Sequence, residues 1–316
     1  MKDASISKGW VRYKRQWQLQ LFVYMGLIWL IVFSWAPLFG ITIAFKDYSI
    51  RTGVEGIFTS EFNHFQHFKD FFGYYNFNGL LRNTLVLSIT KLLATFPAAI
   101  LFAILINEVR INSFKRVIQT VSYLPHFISW VLVYTVSLYI LGEKNGVVND
   151  FLLRLGLVSK PVAFLSSEDL FYGLAIFLSL WKTTGWNAII FLASITNVDP
   201  TLYEAASVDG AGRLRRIWHI TLPGILPAVV TVLVINIGSM LGGGMGGSNF
   251  EISYMFGNVA NVQTSEIIQT YSFKMGLSKG RFAFATAVDL CQSILSIILV
   301  VSSNYAAKKI SGSSLF

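Results

Sequence analysis

Six long apolar segments interrupt the chain, and they constrain its fold more than any other feature. Each is long enough for an α-helix to cross about 30 Å of hydrocarbon at about 1.5 Å per residue. Only 13% of the 316 residues are charged, against about 25% in soluble domains, so the chain lacks the polar surface of a soluble protein. We therefore expect an all-α integral membrane protein with six transmembrane helices. Their expected bounds are Leu19–Phe45, Leu80–Val109, Val117–Leu141, Leu170–Ile195, Gly224–Leu241 and Phe282–Ala307.

The distribution of Lys and Arg predicts the orientation of these helices. With the N-terminus inside, the inner segments contain 13 basic residues and the longer outer segments contain 9. Both termini are therefore expected in the cytoplasm of a bacterial cell, and the net charge of +9 fits contact with anionic lipid. The basic residues are scattered over many loops, which argues against nucleic-acid binding. The expected organisation is an N-terminal segment 1–18, a first helix 19–45, an outer loop 46–79, a five-helix core 80–307 and a tail 308–316.

Residues 199–223 form a polar, basic stretch between the fourth and fifth apolar segments. Asp199 and Pro200 favour the start of a helix, and Gly210 favours its end. A second short helix with a basic face is expected to follow, with the next apolar segment starting at Pro223. The pattern predicts an exposed helix–turn–helix that docks another protein and carries no catalysis. Its assigned residues are Glu204, Ala205, Ala206, Asp209, Gly210, Arg213, Arg215, Arg216, Ile220, Leu222 and Pro223.

The sequence contains no pattern for catalysis or for metal or nucleotide binding. His64 and His67 lack further metal ligands, and the lone Cys291 can form no internal disulfide. The glycine-rich run 242–248 lacks the Gly-Lys-Ser/Thr ending of a phosphate-binding loop, so we expect a flexible connection there. The chain is therefore not expected to be an enzyme, and any ATP that drives it would be bound by another subunit.

Polar residues within the apolar segments are costly in lipid and often functional. Pro125 is expected to kink the third helix, which frees backbone carbonyls that need partners. Two interpretations stay open, a transport path through the helices or hydrogen bonds between helices. Lys182 and Asp289 could instead neutralise each other or partners on another subunit. The residues concerned are Lys182, Thr183, Trp186 and Asn187 in the fourth segment, Asn236 in the fifth and Asp289 in the sixth.

The stretch from Glu204 to Pro223 resembles the EAA loop of the membrane subunits of binding-protein-dependent ABC importers. That pattern is Glu-Ala-Ala, three residues, Gly, nine residues, Ile, one residue, Leu-Pro, and this chain fills every fixed position. The stretches Trp35–Tyr48 and Tyr123–Trp130 resemble, less specifically, permeases of the oligosaccharide class, which are related to the maltose-importer permeases. The resemblance implies a type I importer permease with cytoplasmic coupling helices.

The resemblance also implies partners and a mechanism. The partners would be a second homologous permease, two ATPase subunits that bind ATP and Mg, and an extracytoplasmic solute-binding protein. An oligosaccharide would be moved by alternating access, with Glu204 capping and bracing the loop.

Positions relative to the loop imply that Thr183, Trp186, Asn236 and Met240 contact the sugar. Lys182 departs from a neutral lining, which would fit either an acidic sugar or a different helix register. The alternatives are a peptide or amino-acid cargo, and an ion-coupled secondary carrier that uses Asp289 as its proton site.

Overall fold

The structure is a computed structural model that describes residues 15–311, so residues 1–14 and 312–316 of the predicted terminal segments lie outside it. Its regular elements are helices, and residues 15–311 contain only one isolated bridge, between Lys46 and Phe62. Five helices are long and apolar enough to span a membrane, and a bent helix pair provides a sixth candidate. The predicted all-α membrane fold is therefore confirmed.

The contacts divide the chain into two compact units. The first comprises the residues up to Phe71 together with Met275–Leu290, and the second comprises Phe72–Lys274 together with the residues from Cys291 onward. Two of the helices, α1 and α10, include π-helical and 3-10 turns. In chain order the helices are α1 Trp17–Phe45, α2 Glu55–Thr59, α3 Gln66–Phe72, α4 Phe77–Asn107, α5 Asn112–Tyr123, α6 Trp130–Leu141, α7 Val147–Arg154, α8 Glu168–Thr196, α9 Pro200–Val208, α10 Arg213–Gly242, α11 Asn249–Phe256, α12 Val262–Ser265, α13 Ile268–Phe273 and α14 Phe282–Ser311.

Helices α4 and α8 form the centre of the second unit, where they run in the same direction. Apolar side chains meet at two levels, one around Leu87 and Phe171 and the other around Phe96 and Phe191. The rings of Phe96 and Phe191 meet edge to face with centroids 5.7 Å apart. Between the two levels lies a buried polar band, which contains Ser88, Lys91 and Thr95 on α4 and Ser179, Lys182 and Thr183 on α8.

The third apolar segment is not one helix. α5 ends at Tyr123, a 3-10 turn covers Leu124–Phe127, and α6 begins at Trp130. The two parts differ in direction by 98°. The break falls at Pro125, because proline lacks an N–H and its ring clashes with the preceding turn. A single helix over Val117–Leu141 is therefore a wrong expectation, although the position of the kink is right.

The fifth span begins earlier than the sequence indicates. It is helical from Arg213, passes through a π-helical turn at Ile217–Thr221 and continues as Leu222–Ser239. The expected start at Gly224 is wrong, and the basic helix is the first turn of the span. Pro223 directly follows the π-helical turn, at the second position of Leu222–Ser239.

Residues 242–248, which we call the glycine segment, are not a flexible connection as the sequence suggests. They form 3-10 turns within the second unit, and all of them except the exposed Gly242 are buried or half-buried. Gly243 and Gly247 have φ angles of 121° and 77°, a region that glycine enters without strain. A Cβ on Gly243 would lie 1.7 Å from the Gly247 carbonyl oxygen, so this turn cannot accept a side chain there.

Candidate functional site

The first helix of the predicted docking loop begins at its predicted cap. The Asp199 carboxylate accepts the Thr201 N–H at 2.9 Å, and this hydrogen bond lowers the pKa of Asp199 from its usual value. Glu204 lies further along α9, is exposed, and makes no side-chain hydrogen bond within residues 15–311. The capping role expected of Glu204 is therefore wrong, since Asp199 fills it, and the Glu204 carboxylate is left facing solvent.

A glycine turn separates α9 from α10. Gly210 has a φ of 73°, and the Ala211 N–H reaches back to the Ala206 carbonyl at 2.8 Å, as in a Schellman motif. Within residues 15–311, no atom beyond its two chain neighbours lies within 4 Å of the place that a Gly210 Cβ would occupy. Glycine is therefore needed here for its backbone conformation and not for space.

Two side-chain hydrogen bonds brace α9 against the start of α10. Arg216 donates from Nη1 to the Ser207 hydroxyl at 2.9 Å. The hydroxyls of Tyr203 and Thr221 lie 2.9 Å apart. The loop and the first turns of the fifth span therefore form one connected piece.

The loop presents both apolar and basic surface. Val208 and Leu214 are 88% and 82% exposed, so both add apolar surface to the loop. An open groove of about 330 Å³ lies between the loop and the connection from α4 to α5. Its lining residues are Asn107, Glu108, Val109, Arg110, Tyr203, Arg213 and Arg216. Of the other assigned residues, Ala205, Asp209, Arg215 and Pro223 are exposed, whereas Ala206, Ile220 and Leu222 are half-buried.

Lys182 lies on α8 beside the break in the third span and is 6% exposed. Its ammonium donates to the carbonyls of Pro125 at 3.2 Å and His126 at 2.6 Å, and also to that of Ile128. The same ammonium lies 5.6 Å from the centroid of the Trp130 ring. The carbonyls freed at the break thus find their partner within the chain.

Trp186 is 39% exposed and lies one turn beyond Lys182 on α8. Its indole stacks on His126 with centroids 4.5 Å apart and an interplanar angle of 5°. Phe127, which is 70% exposed, meets the same indole edge to face at 5.3 Å. We call His126, Phe127 and Trp186 the aromatic ledge. His126 Nδ1 is buried in it and has no hydrogen-bond partner within residues 15–311.

Two asparagines bind the glycine segment from different helices. Asn187 of α8 donates to the Met245 carbonyl at 2.6 Å, and the Asn236 side-chain oxygen of α10 accepts the Met245 N–H. Thr183 instead donates to Ser179 within its own helix, at 2.7 Å.

Met240 and Asp289, the two remaining residues predicted for the transport path, differ in location. Met240 precedes the glycine segment and is 7% exposed. Asp289 is exposed on α14 and belongs to the first unit, unlike the other predicted path residues.

The sequence did not single out Lys91 and Asn249, which also hold the glycine segment. Lys91, fully buried on α4, donates to the Gly247 carbonyl at 2.9 Å and to Asn249 Oδ1 at 2.8 Å. Asn249, also fully buried, donates to the Ser88 hydroxyl at 3.0 Å and the Met240 carbonyl at 3.2 Å. A lysine inside an apolar segment was the available signal. Its partner is 158 positions away, so no local pattern reveals it.

Comparison with known proteins gives the context for this arrangement. Residues 95–311 match the family described as binding-protein-dependent transport system inner membrane component. The chain is 42% identical to Protein LplB of Bacillus subtilis (strain 168), across 96% of this chain and 92% of the relative. It is also 42% identical to the polygalacturonan/rhamnogalacturonan transport system permease protein YteP of the same organism, across 93% and 89%.

A solved structure matches over nearly the whole fold. It is that of a bacterial alginate ABC transporter in complex with an alginate pentasaccharide-bound periplasmic protein. The TM-score is 0.84 at 33% identity, with 97% of this chain and 99% of that chain covered. The chain belongs to the family of binding-protein-dependent transport system inner membrane components. It is therefore a multi-pass permease subunit and not the enzyme, since ATP hydrolysis in such importers is the task of a separate subunit.

Proposed function

We propose that this permease moves oligosaccharides across the cell membrane by alternating access, and that residues 199–223 couple it to a separate ATPase. The observation that carries the proposal is the loop itself, which is solvent-exposed, internally braced and continuous with a membrane span. Because α10 begins at Arg213, a displacement of the loop acts directly on the span. A rigid-body motion of this kind is how domain closure reaches a distant site.

The ATPase subunits would close when they bind ATP with Mg, and each would hold one permease loop. Glu204 and Arg215 are exposed on this surface and would pair with oppositely charged ATPase residues. Val208 and Leu214 would supply the apolar part of the contact. This arrangement requires the loop to face the cytoplasm, and the excess of Lys and Arg in the inner segments supports that orientation, with both termini inside.

The proposed assembly also contains a second, homologous permease and an extracytoplasmic solute-binding protein. The match to a transporter in complex with its periplasmic protein supports the second of these partners. Helix α1 supports contact with further protein or lipid, because its apolar side chains are almost all exposed in the single chain.

The proposed cargo is an oligosaccharide, and the path for it runs along the aromatic ledge. Stacking on Trp186 and Phe127 would suit the apolar faces of sugar rings. Similar proteins named for polygalacturonan/rhamnogalacturonan and for alginate make a uronate-containing oligosaccharide the first cargo to test. A peptide or amino-acid cargo is the competing candidate, whereas the family membership leaves the ion-coupled carrier without support.

Uptake by the complete importer, reconstituted in proteoliposomes with its binding protein and ATPase, tests the proposal. Labelled trigalacturonate, maltotriose and a tripeptide are the probes. We expect uptake of a saccharide that vanadate blocks and a protonophore leaves unchanged. Uptake that a protonophore blocks and vanadate does not would refute ATP coupling, and uptake of the tripeptide alone would refute the saccharide cargo.

A further inference from the structure

The Lys182 ammonium has no N–H left to offer to a cargo molecule. A lysine ammonium carries three donors, and here the carbonyls of Pro125, His126 and Ile128 accept them. The side chain is 6% exposed. A cargo carboxylate would therefore have to displace a backbone carbonyl from a buried cation before it could bind.

The broken helix itself compensates the charge of Lys182. A helix carries about half a negative elementary charge at its C-terminal end, and α5 with its 3-10 turn ends at these carbonyls. The Trp130 ring adds a cation–π contact at 5.6 Å. No carboxylate within residues 15–311 forms a salt bridge with Lys182, and Glu251 attracts it only from beyond ion-pair distance.

The neighbouring turn of α8 holds the same break through different contacts. Trp186 follows Lys182 by four positions, so both side chains lie on one face of the helix. The Trp186 ring stacks on His126, whose carbonyl is bound by Lys182. Between them in sequence, Gly185 packs so closely that a Cβ would lie 2.2 Å from the Ser122 carbonyl oxygen. This face of α8 therefore fixes both the backbone and the rings of the break.

We infer that Lys182 is a positioning residue of the transport path and not a ligand for the cargo. Its ammonium caps the broken third span and thereby holds His126 and Phe127 against Trp186. This role gives a physical reason for a lysine at a position where a neutral lining is expected. The inference rests on the proposed function only in assigning the aromatic ledge to the transport path.

Fluorescence quenching at Phe127 tests the positioning directly, without any cargo. The assembled importer is placed in lipid nanodiscs, with Cys291→Ala to remove the native thiol and Phe127→Cys labelled with bimane. Contact with the Trp186 indole quenches the label, and Trp186→Phe gives the unquenched reference. We expect Lys182→Met to lose most of the quenching, because methionine cannot bind the three carbonyls. Lys182→Arg keeps the charge and the donors, so it should retain the quenching.

Control variants separate this effect from a general loss of stability. Lys144→Met removes a lysine that is exposed, and it should leave the quenching unchanged. If Lys182→Met does not assemble, Lys182→Gln replaces it, and its two amide donors should preserve part of the quenching. Full quenching in whichever neutral variant assembles would overturn the inference.

Trigalacturonate uptake with Phe127 intact distinguishes positioning from direct binding. We expect Lys182→Met to lower the maximal rate and Lys182→Arg to restore it. A raised KM at an unchanged maximal rate, with quenching intact, would instead make Lys182 a cargo ligand. Absence of uptake by the parent importer would contradict the proposed function and leave the quenching result standing.

Discussion

The coupling loop, residues 199–223, and the glycine segment, residues 242–248, lie at the two ends of α10, and they are held in opposite ways. In the loop, the bracing side-chain bonds join residues no more than 18 positions apart, and most side chains are exposed. In the glycine segment, side chains from α4, α8 and α10 bind a backbone that is largely buried or half-buried, and Lys91 reaches across 156 positions. An exposed loop with local bonds can bind a second protein. A buried segment in a membrane protein needs every polar group bound inside.

The largest expected effect is loss of uptake when the conformation of the loop changes. Gly210→Val places a β-branched side chain at a φ of 73°, which costs roughly 1–2 kcal/mol. The helix end should then unwind, and the loop should no longer transmit motion to α10. Uptake by the reconstituted importer should fall to background, while the permease remains inserted and detectable in the membrane.

Gly212→Val is the matched control, because Gly212 lies two positions away with equally open surroundings. Its φ of −66° is open to any residue. We expect near-normal uptake from this variant. Equal loss in both variants would mean that bulk, and not backbone conformation, limits the loop.

The next largest effect is expected in the glycine segment. Asn249→Leu removes the acceptor for Lys91 and the donors to Ser88 and Met240, and each orphaned buried group costs about 1–3 kcal/mol. The free energy of unfolding in detergent should drop by about 3 kcal/mol or more. Asn112→Leu, at an exposed position, should change it by less than about 0.5 kcal/mol. Similar values for the two variants would contradict this expectation, because the buried hydrogen bonds would then contribute nothing to stability.

Two glycines on α8 allow a tightly packed position to be compared with an open one within a single helix. Gly185→Ala forces a Cβ against the Ser122 carbonyl and should destabilise the protein by about 2 kcal/mol. Gly173→Ala meets open space and should stabilise the helix by up to about 1 kcal/mol. The midpoint temperature of thermal unfolding should therefore fall in Gly185→Ala and rise in Gly173→Ala. Two shifts of the same sign would show that close packing at the break does not govern stability.

The loop could be predicted from the sequence because its determinants are neighbours in the chain. Asp199, Pro200 and Gly210 each act on the turn in which they lie. The N-cap, the first turn and the end of α9 can therefore be read in order from the sequence. The exception is Glu204, because the capping role expected of it is filled by Asp199. Local rules also located the break at Pro125, but they could not give its 98° angle.

The buried contacts could not be predicted, because each depends on helices that meet only after folding. A lysine in an apolar segment signals a cost that must be offset, but it does not say by what. The cost of burying Lys182 is offset by carbonyls 54 to 57 positions away in the sequence. The cost of burying Lys91 is offset by groups about three times as far away in the sequence. The expectation of a flexible connection at the glycine segment was wrong for the same reason. Its composition indicates flexibility, whereas side chains from other helices fix its backbone.

The smallest expected effect concerns the cap of α9, and it separates charge from geometry in the loop. The pKa of Asp199 is lowered by its hydrogen bonds to Thr201, so the charged form is favoured in the folded loop. This contribution is present above the pKa of the unfolded chain, near 3.9, and is lost as the pH falls through the lower folded value. Asn caps about as well as Asp but does not titrate. Protection of the Thr201 amide from hydrogen exchange should therefore fall as the pH drops below about 3.9 in the parent and stay level in Asp199→Asn. A parallel fall in both would assign the pH dependence to other groups, and the loop would then owe its conformation to Gly210 and the two braces alone.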